Sequence, residues 1–450
     1  VSTLIKGSIL LVLAAFIGEC LEFVINMVLS RELGEEGLGL YMAIFPTIMF
    51  LAVIASMQLP ISISKAVAEK DQVYHRGMLQ HTIQFIFYFT IAMLLVALIV
   101  LPLLPIFHNY HPLLRWLLIL LVPLISFSAI ASGYFMGAQH MGKIAFANVL
   151  RRVVQLVLLI FIFRLFHVDT EFSILLALCV LIATEFVEFL YLFTRFMLEM
   201  RKLKQQPSLP ISRKTVLRAL FAVSIPATGL RIFHAASFAI KPFLIQAALI
   251  RSGMFEEMAL IQYGKLAGVA FTIGFFPAFI AHSLLIVLIP IVSEKYANRE
   301  LPELQSLLKK ILFVTLLYAI PVCFVFYLFA EQLTGLFFDA FSAVGYLKLL
   351  IPYFFFHYFI IPMQAFLIGL GLVKDAFIHS VYTTTISFIA MFVLGSMPQL
   401  QMSGIIMGMN ASAVLLSILH FISIRGRLAQ PQSWKLSELR LKQAKLSKQN

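Results

Sequence analysis

Charge is scarce in this chain. Of its 450 residues only 12% are charged and 61% are hydrophobic, and the mean hydropathy is +0.97. A soluble domain carries about 25% charged residues, so an ordinary soluble fold is excluded and a membrane protein remains. Cysteine is nearly absent: Cys20, Cys179 and Cys323 each lie in an apolar run, which excludes a disulfide framework and a Cys-ligated zinc site. There is no P-loop, no glycine-rich dinucleotide fingerprint and no nucleophile triad. The chain is therefore read as a non-enzyme without cofactor or metal, and any transport it performs is not powered by its own ATP hydrolysis. His108 and His111, in "HNYH", have metal-compatible spacing but no third ligand nearby, and are read as loop residues. Acidic residues are outnumbered, at a formal charge of +13, and the distribution of the bases excludes a nucleic-acid partner.

What is abundant is apolar sequence. Runs long enough to cross a bilayer occur near 7–29, 38–61, 83–104, 116–137, 146–166, 172–194, 219–249, 258–291, 311–330, 346–369, 376–396 and 403–424, twelve spans of about 20 residues or more. The first run is a retained helix and not a signal peptide, because it continues apolar to Leu29 and further spans follow at once. With the amino terminus placed in the cytoplasm, the inner segments hold most of the basic residues. These include Lys6, Lys65, Lys143, Arg151 and Arg152, the segment from Arg195 to Arg218, and the tail. The outer loops hold only Arg31, Arg115, Arg164, Arg251 and Lys348. This bias predicts both termini in the cytoplasm and explains most of the net charge. The basic tail reads either as a solvated topogenic end or as a segment held on anionic lipids.

An internal repeat supports a six-plus-six division. "FPTIMFLAVIASMQLPISISK" from Phe45 is similar to "FPAFIAHSLLIVLIPIVSEK" from Phe276, and "YFMGAQHMGKIAFANV" from Tyr134 to "FLIGLGLVKDAFIHSV" from Phe366. The expected architecture is an all-α polytopic protein of two pseudo-symmetric six-helix lobes. The lobes are 1–195 and 214–424, joined by a cytoplasmic linker at 196–213 and followed by the tail at 425–450, a plan of transporters that rock one lobe against the other. "GYFMG", "GKLAG" and "GIIMG" are patterns that let helices approach closely. Asn410-Ala-Ser412 fits a glycosylation sequon but lies inside a span.

A charge at the bilayer centre costs roughly 2.5–3.5 kcal/mol, so those kept there face a protein interior or a wet cavity. Glu19 and Glu22 on span one, and Glu185 and Glu188 on span six, are pairs at i, i+3. Arg231, His234 and Lys241 on span seven fall within about 80° on one helical face, and Lys265 on span eight could join them. By this reading acids and bases are segregated by lobe and approach one another in the empty state. Three roles stay open for the basic face: structural pairing with the acids, a cavity for an anionic headgroup, and contact with outer lipid headgroups. The glutamates are candidates for coupling to H+ or Na+, because close like charges favour protonation of one of them.

The opening stretch "LIKGSILLVLAAFIGECLEFVINMVLSRELGEEGLGLYMAIFP", with "LPISISKAVAE" after it, resembles stage V sporulation protein B-like proteins of the multidrug, oligosaccharidyl-lipid and polysaccharide (MOP) exporter superfamily. The resemblance implies a multi-pass protein of the bacterial cytoplasmic membrane. It would move a polyprenyl-diphosphate-linked saccharide or peptidoglycan precursor outward in spore-envelope formation. Related flippases carry arginines on span one, where this chain has Glu19, Cys20 and Glu22, so Arg231 and Lys265 are expected to supply the positive charge. A cation-coupled exporter of small molecules and a non-transporting sporulation scaffold remain alternatives.

Overall fold

The computed structural model describes residues 2–108, 110–166, 168–337 and 343–429, all of it helical apart from short connections. The helices are α1 (Ser2–Ser56), α2 (Leu59–Glu69), α3 (Gln72–Leu103), α4 (Leu113–Gly137), α5 (Met141–Leu165), α6 (Thr170–Lys204), α7 (Arg213–Arg251), α8 (Glu256–Gly264), α9 (Phe271–Phe275) and α10 (Ala278–Ala297). They continue as α11 (Leu301–Leu328), α12 (Ala330–Gly335), α13 (Val344–Leu349), α14 (Ile351–Gly369), α15 (Val373–Gly395) and α16 (Met402–Ala429), and a π-helical turn, Lys265–Ala270, joins α8 to α9. Among the described residues twelve helical stretches are long and apolar enough to cross a membrane. The first two sequence spans fall within one apolar helical stretch, Leu13–Glu69, which is broken at Gly34, and the eighth is divided into Glu256–Phe275 and Ala278–Ala297.

α1 is 55 residues long but is not straight, because Gly34 has φ 68° and ψ −175°, a conformation that is essentially restricted to glycine. Residues 19–29 before it and 41–49 after it line one cavity. In a straight helix Glu19 and Met49 would stand about 45 Å apart, so the chain reverses at Gly34. The turn is tied down by Ser30 Oγ, which donates to Phe337 O at 3.1 Å, and by Arg31 Nε, which donates to Leu336 O at 2.9 Å.

The chain forms two compact units. The first comprises 1–276 with 331–345, and the second 277–330 with 346–450. The polar segment between α6 and α7 connects helices of the first unit. In the first unit α4 packs on α2, α3 and α6, and α5 on α6; in the second α14 packs on α10, α11 and α16, and α15 on α16. The same packing pattern occurs in both units. Gly137 ends α4 where a Cβ would stand 2.6 Å from Ser64 O on α2. Gly369 ends α14 where one would stand 2.7 Å from Val292 on α10. Equivalent glycines thus permit equivalent crossings.

In the second unit the Asn410 amide Nδ2 donates to Leu349 O at 2.9 Å and its Oδ1 accepts from Tyr353 N at 3.0 Å. It satisfies backbone groups freed at the join of α13 and α14, which makes this sequon asparagine a packing residue. His111 Nδ1 accepts the Leu113 N–H at 3.3 Å at the start of α4, in keeping with a loop role. The basic tail lies outside the described residues from 430 onward.

Candidate functional site

The first unit contains two adjoining cavities. One, of about 340 Å³, is lined by both arms of α1, by α5, by α7 and by the α8–α9 segment. Its ionisable lining is Glu19, Glu22, Arg151, Arg152 and Lys241. Asn26 and Gln155 add amides, and eight aromatic rings, including Phe45, Phe238 and Phe271, complete the wall. The second, of about 520 Å³, is lined by Arg151, Glu185, Arg231 and His234 together with mostly apolar residues of α1 and α4. Met49, Arg151 and Leu181 border both.

The charges are arranged differently from the sequence expectation. Arg151 Nη1 contacts Glu185 Oε1 at 2.6 Å, and its Nε lies 2.8 Å from Glu188 Oε2 as an ion contact without hydrogen-bond alignment. Arg152 Nη1 pairs with Glu22 Oε2. The i, i+3 spacing of Glu185 and Glu188 brings both carboxylates to one arginine. Gly18 leaves room beside Arg152, since a Cβ there would touch its Nε at 3.4 Å.

The acids of α1 and α6 are therefore matched by bases of α5, and the expected segregation of acids and bases by lobe is corrected. The charge tally assigned Arg151 and Arg152 to a cytoplasmic segment. They are instead the eleventh and twelfth residues of the 25-residue α5, about 15 Å from its start. The signal that could have found them was present: two arginines within a predicted span, facing two glutamate pairs on other spans.

The three bases on one face of α7 are divided between the cavities. Lys241 lines the smaller, and Arg231 and His234 the larger. Lys241 and Arg231 have no ion-pair or hydrogen-bond partner among the described residues. Lys265 is buried at 8% exposure and holds Glu35 at 2.9 Å, one residue after the turn at Gly34, so it stands apart from the lining of both cavities. Beside it Gly264 meets Gly39, where a Cβ would lie 2.7 Å from the Gly39 nitrogen, so "GKLAG" is a close helix crossing. Among the described residues no group of three or more His, Cys, Asp or Glu side chains could hold a metal ion.

Chemically, these are ligand-sized spaces inside a membrane-spanning unit, lined by fixed charges that are mostly paired, with two cations left to meet an anion. The fold is that of transporters of the MOP superfamily. An inward-facing multidrug resistance MATE family transporter of that superfamily matches with a TM-score of 0.72 over 94% of this chain and 98% of the other, at 17% identity. A MOP superfamily transporter from Pyrococcus furiosus Vc1 (DSM3638), noted for the reverse polarity of its binding pocket, matches with a TM-score of 0.65 over 94% and 96%, at 18% identity.

The chain belongs to the polysaccharide biosynthesis protein family, whose model matches residues 4–295; a MatE model matches 263–386. Sporulation protein YkvU of Bacillus subtilis (strain 168) is 49% identical over 93% of this chain and 94% of its own length. Stage V sporulation protein B of the same organism is 30% identical over 98% and 86%. The chain is thus a multi-pass bacterial membrane protein of a transporter fold, not an enzyme, related throughout its length to sporulation proteins.

Proposed function

We propose that the protein moves a polyprenyl-diphosphate-linked saccharide or peptidoglycan precursor outward across the cytoplasmic membrane during spore-envelope formation, by alternating access, with both termini in the cytoplasm. The observation that carries this reading is the presence of unpartnered cations, Lys241 and Arg231, on walls of cavities inside the membrane-spanning unit. A cation in such a place costs free energy that a bound anion recovers. The family match and the sporulation relatives supply the setting. The amides of Asn26 and Gln155 and the aromatic wall of the smaller cavity suit a sugar's hydroxyls and apolar faces. The basic tail would rest on the anionic inner leaflet.

The ion pairs suggest how the cycle is coupled. Arg151 and Arg152 are held by Glu185, Glu188 and Glu22, so an anionic headgroup competes with these carboxylates for the arginines. Protonating a carboxylate releases its arginine to the substrate, and a state with differential contacts to the ligand is then favoured. Glu19, on the same wall, would share that role, and an inward H+ gradient would bias the cycle. Calorimetric binding of inorganic diphosphate to the purified protein tests the headgroup site. Arg231→Ala and Lys241→Ala are each expected to weaken it several-fold, and unchanged binding in the double variant would remove the site. A cation-coupled exporter of small cationic compounds would use the same glutamates, and its substrates would be repelled by Lys241 and Arg231.

A further inference from the structure

We infer that the larger of the two cavities receives the first apolar segment of the chain to which the substrate's phosphate is attached. This rests on the reading of a lipid-linked anion. It adds that protein, and not bilayer alone, surrounds the lipid part next to the charge.

Four observations carry it. Ile48, Ala52 and Val53 of α1 and Leu121 and Ile125 of α4 give the larger cavity's lining an apolar part, with Ser56 at the end of α1 and Gln58 just after it. Arg231 and His234 of α7 line the same cavity, with no carboxylate partner among the described residues. The cavity joins the smaller, polar one at Met49, Arg151 and Leu181. Its volume, about 520 Å³, lies in the range of sites that enclose a small ligand. A wholly polar ligand would leave the apolar part without a counterpart, and a wholly apolar one would leave Arg231 and His234 facing hydrocarbon. An amphiphile with its charge at the joint satisfies both. The order along the ligand then follows the protein: polar head in the smaller cavity, phosphate between Lys241 and Arg231, chain in the larger.

The test uses the purified full chain at fixed detergent concentration and water-soluble probes, namely inorganic diphosphate, geranyl diphosphate and dihexanoyl phosphatidate. Each methylene moved from water into an apolar site strengthens binding about fourfold, so geranyl diphosphate is expected to bind at least about tenfold tighter than inorganic diphosphate. Ala52 of α1 and Ala235 of α7 both line this cavity, so Ala52→Leu and Ala235→Leu each narrow it from a different helix while keeping every charge. In both variants that gap should fall below about threefold, with the affinity for inorganic diphosphate unchanged, which also reports an intact fold. A gap that persists in both variants reflects uptake by the micelle and overturns the inference, as does the lack of any gap in the wild type. Phosphatidate binding as tightly as geranyl diphosphate overturns it in favour of ordinary phospholipid. Failure of inorganic diphosphate to bind the wild type overturns the headgroup reading as well; loss of the gap alone overturns only the assignment of the chain.

Discussion

Replacing Arg151 by leucine should destabilise the protein, and further replacing its two acidic partners should restore it. The side chains of Arg151, Glu185 and Glu188 are only 21%, 22% and 15% exposed, so water screens them little. Removing one partner of a buried ion pair costs about 3–5 kcal/mol, because the remaining charge is left without compensation. Here two carboxylates would remain and repel each other. The residual exposure lowers the figure, and about 3 kcal/mol is expected for Arg151→Leu. For a unit of this size that corresponds to a fall of roughly 5 °C in the apparent midpoint of thermal unfolding in detergent. Neutral glutamines at 185 and 188 remove the repulsion, and a matched neutral set is about as stable as a buried ion pair. The triple variant Arg151→Leu, Glu185→Gln, Glu188→Gln should therefore recover at least half of the loss. A triple variant as unstable as Arg151→Leu alone, or a single variant within about 1 kcal/mol of wild type, would refute the view that this triad is a balanced buried cluster.

Lys265→Ala separates structure from binding. It removes the cation held 2.9 Å from Glu35 and should cost about 1–3 kcal/mol, while diphosphate affinity stays within about twofold, as titration calorimetry and thermal unfolding of the same sample will show. Gly264→Val forces side-chain atoms onto the Gly39 backbone, already 2.7 Å from a Cβ, and should lower the unfolding midpoint by the equivalent of at least about 1–3 kcal/mol. Gly34→Ala places a side chain at φ 68°, ψ −175°, for a strain of about 1–3 kcal/mol. Faster proteolysis at the turn between residues 30 and 37 is the expected readout.

Much of the fold was legible because it follows from hydropathy and repetition. The twelve spans and the repeated stretches that carry Gly137 and Gly369 are local or periodic signals. The interruption before Ala278 that divides the eighth span, and the glycine-only conformation at Gly34 that turns α1 back, are backbone events that hydropathy does not register. The site was half legible. Glu22, Glu185 and Glu188 stand out as acids in apolar runs, but their partners did not, because Arg151 and Arg152 lie near enough to a cytoplasmic boundary to be counted as topogenic charges. Pairing is a tertiary property. Helical periodicity put Arg231, His234 and Lys241 on one face, but their ten-residue separation, about 15 Å along α7, is what divides them between two cavities. The role of Asn410 was hidden for the same reason, since the carbonyl and amide it binds are about 60 residues away.

The most direct test of the central claim is reconstitution in proteoliposomes with a labelled polyprenyl-diphosphate-linked saccharide on one leaflet, measured beside the uptake of a small cationic compound under an imposed H+ or Na+ gradient. The expected result is transbilayer movement of the saccharide lipid well above protein-free vesicles, lost in the Lys241→Ala, Arg231→Ala double variant and speeded by an inward H+ gradient. Movement no faster than in protein-free vesicles, with gradient-driven transport of the cation instead, would contradict it.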